Sequence, residues 1–426
     1  QEVEDWRAMR EGEQVREKVD GGGERRGGRK CLGPQRKLYR AGQEELVRVA
    51  GGSSDYDHVL PMRVGGDHHF APGERHKDVA SLRIRLGLPI EKGQSESYYD
   101  DNAAAAVMQF QRTHGLEADG IIGPNTLSVL NRRKKDQMEQ IIANLERLRW
   151  LDQDKPDRYI IVNIPQQLLW AVDNGQVAHE MKVVVGQPSR KTMEFKAEVT
   201  GVRFNPRWTV PLRLKMEDFL PKLREDPGYL AQKGIEIIKG YGDNAVTFDP
   251  MAIDWDKVTR RDMNEVRFVQ SAGDHNALGR IRVLMPNIYN IYMHDTNHPE
   301  MFGRGQRTLS SGCVRLSEPE KIADFILAEN KDWSADRRAA LIADGKTVEV
   351  MTEKPFPVYI IYQSIWLDDT GRLVYGPDVY KRDKALIEVL ATIDGYSLPD
   401  FTSGVPAVRH ADAAGDKNGA ALAYNQ

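Results

Sequence analysis

Behind Asp78, whose carboxylate can cap a first turn, Val79, Leu82 and Leu86 recur at helical spacing. A second helical stripe follows Asp100, Asp101 and Asn102, with Ala103, Ala106, Val107 and Phe110 on one face. After a turn at Asp119-Gly120, Pro124 opens a third helix at the position where its missing N–H costs nothing. Residues 78–130 therefore predict a compact three-helix unit. From 131 to 150 a longer amphipathic helix carries Ile141, Leu145 and Leu148 on one stripe, most simply a packing surface. Past Pro156 the period shortens to that of strands, at Tyr159–Asn163, Gln167–Val172 and Met181–Val185. Asn174-Gly175, between the second and third, marks a hairpin. Between Leu212 and about Gln270 the pattern turns helical and irregular, broken by Pro221, Pro227 and Pro250. Strand-like runs return at Ile281–Leu284 and Ile288–Met293.

This pattern predicts an α+β, multidomain protein. Its parts are an N-terminal arm or partial scaffold over residues 1–77, the three-helix unit at 78–130, a linking helix at 131–156 and a β-rich domain at 157–383. A helical insertion at about 209–275 interrupts the β-rich domain. Residues 384–426 read as a helix followed by a disordered, Ala/Gly/Asp-rich tail. The first fifty residues, charged and punctuated by Gly21, Gly22, Gly23, Gly27 and Gly28, read as mobile or weakly helical.

A length of 426 residues agrees with several domains at about 150 residues each. Sixty basic residues against 63 acidic ones give a net charge of −3, which argues against a polyanion-coating nucleic-acid binder. With 40% hydrophobic residues the chain can build cores, and no apolar run approaches the roughly 18 residues of a membrane span. Two cysteines exclude a disulfide scaffold and a four-thiolate zinc site. Cys31, inside the basic arm, reads as a bystander. His58, His68, His69 and His76 lack regular ligand spacing, so no metal is assigned to them. Cys313 is a different matter.

His294 ends a predicted strand, where a rigid edge can project its imidazole. Cys313 follows 19 residues later, behind Ser310, Ser311 and Gly312. Arg315 lies two places further on, on the same side of an extended chain. A free thiol has a pKa of about 8.5, so little thiolate exists at neutral pH unless an imidazole takes the proton. The imidazole can later return it to a leaving amine. Gly312 removes a side chain beside the sulfur, which admits a substrate carbonyl and leaves backbone N–H groups free for a developing oxyanion. One such donor is worth about 2.7–4 kcal/mol. Arg315 offers a forked cation to a substrate carboxylate. The set suits acyl transfer through a thioester. On spacing alone two other readings stay open: Cys313 as a small buried hydrophobe, and a metal site from His294, His298 and Cys313. Pro299 and the turn-forming Asp295-Thr296-Asn297 oppose the single helix that would align the two histidines.

The stretch 78–130 resembles the peptidoglycan-binding module of cell-wall enzymes, in Asp100, Ala106, Val107, Phe110, Gln111, Gly115, Leu116, Asp119, Gly120, Gly123, Thr126 and Leu127. These residues also set helix faces and turns, so they specify a small bundle whatever it binds. The later segment resembles the L,D-transpeptidases of the YkuD-domain family, in particular the larger YcbB-like branch. A His, a loop and then S-x-G-C-x-R are matched by His294 and by Ser310, Gly312, Cys313 and Arg315. Tyr292-Met293-His294-Asp295-Thr296, Phe302, Arg307, Asn276-Ala277-Leu278-Gly279 and Pro286-Asn287 agree with the larger branch. So do Val185-Gly186, Asn205-Pro206, Trp208 and Val210-Pro211 upstream, and Pro357-Val358-Tyr359 and Asp378-Val379-Tyr380 downstream. The likeness covers about residues 78–130 and 145–383. Two departures, Met193 and Ala272 where the family carries Pro, touch loops away from the nucleophile.

The resemblance implies that Cys313 attacks the carbonyl joining the third residue of a peptidoglycan stem, usually diaminopimelate, to the D-Ala at position four. D-Ala leaves, and the side-chain amine of another stem's diaminopimelate resolves the thioester into a 3→3 cross-link. In that scheme His294 is base and acid, and the Cys313 and Gly312 amides are oxyanion donors. Tyr292, Trp208, Ser311 and Arg315 contact substrate, with core packing an equal alternative for Trp208. The insertion becomes a capping subdomain beside the cleft. The resemblance implies stem peptides as partners, carbapenem-type β-lactams as covalent inhibitors, and no metal, cofactor or nucleic acid. It also implies a periplasmic, cell-wall-associated location; no export signal is visible in a chain beginning at Gln1, which says nothing against that. Two rival functions use the same residues differently: hydrolysis of the thioester by a carboxypeptidase or endopeptidase, and a non-catalytic wall anchor.

Overall fold

The computed structural model describes residues 34–51, 70–89, 96–114, 116–151, 155–368 and 371–393. Cys31, His58, His68, His69, Gly115 and the predicted tail lie outside them. The chain divides into two compact units, one from residues before 155 and after 361, the other Lys155–Ile361.

In the first unit α1 (Pro34–Gly51) precedes α2 (Val79–Arg85), α3 (Asp101–Thr113), α4 (Pro124–Leu130) and α5 (Lys134–Trp150). Asp100 caps α3 by accepting from the Ala103 N–H at 2.9 Å, and it pairs with the buried Arg83. Val79, Leu82, Ala103, Val107, Ile122 and Leu130 close one apolar core. The Gln111 amide donates to Asp119 Oδ1 at 2.8 Å and Thr126 Oγ1 at 3.1 Å, and accepts from the Gly120 N–H at 2.8 Å. Bonded at both ends, this buried amide locks α3, the turn and α4 together without a ligand.

The arm expected over the first fifty residues is helical from Pro34 to Gly51. The reason is packing: Leu38, Leu46 and Val49 join Met138, Ile141 and Leu145 of α5 in one cluster. Ile365 and Tyr375, from an antiparallel hairpin at Ile365–Leu367 and Leu373–Tyr375, complete it. The segment after Ile361, expected in the β-rich domain as far as 383, therefore belongs with these helices.

The second unit begins with β1 (Tyr159–Asn163), β2 (Leu168–Asp173), β3 (Gln176–Gly186) and β4 (Phe195–Phe204). An insertion follows with β5 (Trp208–Thr209), β6 (Ile235–Lys239), β7 (Val246–Phe248) and β8 (Arg267–Gln270). The chain then supplies β9 (Ile281–Leu284), β10 (Met293–His294), β11 (Thr308–Ser310), β12 (Val314–Leu316) and β13 (Val348–Ile361). The main sheet runs β11-β3-β12-β10-β9-β4-β13-β1-β2, and β2 pairs again with β3, closing the sheet on itself. Asn174 and Gly175 turn the β2–β3 hairpin at φ 49° and 73°, the two left-handed positions a type I′ turn needs. Helix α6 (Pro319–Leu327) packs against β4, β9 and β13 and buries Ile322, Ala323 and Ile326.

The insertion is mixed where the pattern predicts helix. Its antiparallel sheet, ordered β5-β8-β6-β7, shares one core with short helical spans through Phe219, Leu220, Leu223, Ile235, Ile237 and Phe268. Strands this short, set between prolines, leave no alternating run long enough to read. Asn276 ties the insertion's two ends, its Nδ2 donating to the Pro206 carbonyl at 3.0 Å and to Ser271 at 2.8 Å. The strand expected at Ile288–Met293 shrinks to Met293–His294. Asn287 is the cause: Oδ1 accepts from the Tyr289 and Ile291 N–H groups, and Nδ2 donates to the Met285 and Ile291 carbonyls. Such a side chain substitutes for a ladder and folds the backbone into a turn, leaving Ile288 exposed.

Candidate active site

Strands β10 and β12 run parallel, with Met293 opposite Val314 and His294 opposite Arg315. Met293 and Val314 are fully buried, so strand alternation places Tyr292, His294, Cys313 and Arg315 on the opposite face. The Val314 N–H donates to the Tyr292 carbonyl at 2.9 Å, which brings Cys313 alongside Tyr292. On the other side of β10, Arg282 of β9 faces His294, and Arg203 of β4 faces Arg282. Arg315, His294, Arg282 and Arg203 thus form one row across four strands.

His294 is only 4% exposed. Its Nδ1 lies 2.5 Å from the Asp295 carbonyl. A carbonyl can only accept, so Nδ1 carries the proton and Nε2 is left with its lone pair. Asp295 is fixed in turn, Oδ2 accepting from the Arg280 N–H at 2.8 Å and Oδ1 from the Thr296 N–H at 2.7 Å. Gly279 makes this possible: a Cβ there would stand 2.3 Å from the Asp295 carboxylate. The sequence reading passes over Asp295 as a loop former, although its place directly after His294 was a usable signal.

Burial, ahead of the Arg315 and Arg282 charges, pushes the His294 imidazole down to about 3. Burial likewise pushes the Cys313 thiol up, against the opposing pull of the Tyr292 N–H and of Arg282 and Arg315. Both shifts keep the resting proton on sulfur. The two directions favour a neutral imidazole and a neutral thiol at rest, and not the expected imidazole-held thiolate.

Gly312 adopts φ +118°, where side chains with a Cβ are strained. Its N–H donates to Ser310 Oγ at 3.1 Å, so it is not the free oxyanion donor that the family resemblance implies. Nor is space the reason for glycine, since a Cβ would meet only the Lys191 and Arg190 carbonyl oxygens at 3.6 and 3.8 Å. Backbone conformation demands it. The Cys313 N–H has no hydrogen-bond partner among the described residues.

Arg282, which sequence reading missed, holds its guanidinium 3.7 Å over the Tyr292 ring. Arg315 Nη1 reaches Met301 Sδ at 3.1 Å and Thr296 Oγ1 at 3.4 Å. The Nε of each arginine is buried without a hydrogen-bond partner, and neither meets a carboxylate within ion-pair distance among the described residues. Ser311 is exposed and accepts from Arg190 Nη1 at 3.0 Å, while Arg190 also pairs with Glu217 and Asp218 of the insertion. Trp208 packs on Phe219 in the insertion's core, ring centroids 6.3 Å apart, and is not brought into the row. His298 is exposed and pairs with Glu300 at 3.0 Å, whereas His294 is buried.

Residues 157–360 match the YkuD family, described as "L,D-transpeptidase catalytic domain". Residues 81–130 match a family described as "Putative peptidoglycan binding domain". A Haemophilus influenzae protein named "Putative L,D-transpeptidase" is 34% identical over 250 residues, 58% of this chain and 49% of its own length. The chain thus spans about half the length of the curated relative it matches. Among solved structures, an L,D-transpeptidase from Xylanimonas cellulosilytica is similar at 13% identity and TM-score 0.22, covering 70% of this chain and 100% of its own. One from Mycobacterium smegmatis is similar at 13% identity and TM-score 0.22, over 48% of this chain and 58% of its own.

Proposed function

We propose that the protein, whose residues 157–360 match the YkuD L,D-transpeptidase catalytic-domain family, joins peptidoglycan stems by 3→3 cross-links through a thioester on Cys313. One observation carries this reading: the parallel register of β10 and β12 puts His294, Tyr292, Cys313 and Arg315 on one face. In the proposed reaction the Cys313 sulfur attacks the carbonyl between the third residue and D-Ala as its proton passes to His294 Nε2. The oxyanion meets the Cys313 N–H. His294 returns the proton to the nitrogen of D-Ala as the C–N bond breaks, leaving the thioester. The side-chain amine of a second stem then attacks, His294 takes its proton, and the thiolate leaves and is reprotonated. Arg282 and Arg315, which meet no carboxylate within ion-pair distance among the described residues, are the proposed seats for stem carboxylates. Tyr292 supplies the surface under Arg282 and the N–H on the sulfur.

The 81–130 domain is proposed to hold the protein to the wall, with the reaction proposed to be periplasmic and cell-wall associated. The full chain incubated with purified tetrapeptide muropeptides should release D-Ala and yield dimers of one tripeptide and one tetrapeptide stem by mass. It should also sediment with intact sacculi. Tripeptide monomers alone would identify water as the acceptor and replace the transpeptidase reading by the carboxypeptidase one.

A further inference from the structure

We infer that Thr192 is a positioning residue for the acylation step, holding the Gly312–Cys313 peptide so that the Cys313 N–H faces the reacting carbonyl. The inference rests on Cys313 as the nucleophile and adds a residue to which no role has been assigned. Thr192 is fully buried in the turn between β3 and β4. Its Oγ1 accepts from the Gly186 N–H at 2.8 Å and lies 2.8 Å from the Gly312 carbonyl oxygen. A hydroxyl has one proton, and the amide already supplies its own, so the Thr192 proton points at Gly312. The direction of the chain is fixed: Gly186 N–H to Thr192 O–H to Gly312 C=O.

In a trans peptide the carbonyl and the following N–H point opposite ways. With the Gly312 oxygen bound to Thr192, the Cys313 N–H must face away from that turn. Ser310 takes two of the remaining polar backbone atoms, its Oγ accepting from the Gly312 N–H at 3.1 Å and donating to the Cys313 carbonyl at 2.5 Å. The turn is itself tied to this strand, because the Gln187 N–H donates to the Ser310 carbonyl at 2.9 Å. Of the four polar backbone atoms of Gly312 and Cys313, the Cys313 N–H alone has no partner among the described residues. A peptide held by its buried carbonyl cannot flip to relieve that orphan donor, so the donor is ready before substrate arrives.

Two reagents separate this role from a general structural one. Imipenem acylates through a tetrahedral oxyanion, whereas iodoacetamide alkylates the same sulfur with no oxyanion at all. Thr192→Val, which keeps shape and loses the hydroxyl, should slow imipenem acylation of Cys313 by about 10²-fold, the scale of one lost oxyanion donor. Iodoacetamide alkylation should stay at the wild-type rate, and Thr192→Ser should restore acylation. Where Thr192→Val does not fold, Thr192→Ala serves the same comparison without a methyl against the Gly186 N–H. Unchanged acylation in the folded variant, or acylation and alkylation falling in step, overturns the inference. So does a folded Thr192→Ser that fails to rescue. A wild-type chain that takes neither reagent at Cys313 overturns the nucleophile assignment itself, and this inference with it.

Discussion

Cys313→Ala is expected to abolish cross-linking and hydrolysis of stem peptides together, by a factor on the order of 10⁴ or more. Of the side chains placed on the face that carries Cys313, the histidine is buried with a depressed pKa and the rest are arginines and a tyrosine, none of which offers a thiol. Cys313 is half-buried as a residue and lies on the face opposite Met293 and Val314, so replacing it should leave the melting temperature nearly unchanged. Cys31→Ala should leave both activities intact. Turnover of tetrapeptide muropeptides, followed by chromatography and mass, checks both variants beside a thermal melt. Equal losses in the two would remove Cys313 from its role.

His294→Gln is expected to slow acylation by about 10²–10⁴-fold, the range of general acid–base catalysis. Because the resting proton stays on sulfur, iodoacetamide alkylation of Cys313 should hardly change in the same variant. The pH dependence has a definite sign. Folded His294 loses its proton near 3, and the thiol keeps its own above the usual value. Wild-type kcat/KM should therefore be flat from about pH 5 to about pH 8, with no inflection near the ordinary imidazole value of about 6.5. Stability follows the same shift. As pH falls from about 6.5 toward 3, the unfolded chain takes up a proton that the folded site refuses. The contribution present above pH 6.5 is lost across that window at up to about 1.4 kcal/mol per pH unit, and His294→Gln should flatten that slope. An acid limb centred near pH 6.5, or alkylation collapsing along with acylation, would contradict this picture.

Local signals were legible where they were short-range. Pro124 at a helix start and Asn174-Gly175 in a hairpin each act within a few residues, and each is found where the pattern predicts it. Asp78, expected as a cap, makes no side-chain cap hydrogen bond, whereas Asp100 does cap its helix. His294 and Cys313 were legible because a spaced motif joins them in one segment. Arg282 was not, since it reaches the site only through the antiparallel pairing of β9 with β10. Thr192 lies more than a hundred residues before the cysteine and enters through a turn that pairing alone brings close. The insertion's sheet was hidden by strand length, and α1 by a helical stripe whose partner, α5, lies about ninety residues away. Gly312 was read as open space, yet its positive φ and its occupied amide belong to the turn and are visible only in three dimensions.

The most direct measurement is the covalent intermediate. The full chain mixed with a tetrapeptide stem and quenched in acid within one turnover should gain the mass of the tripeptide acyl group, with D-Ala released. Proteolytic mapping should place that mass on the peptide containing Cys313, labile to hydroxylamine and absent from Cys313→Ala. Turnover with no adduct, or with the adduct on another residue, would contradict the thioester mechanism.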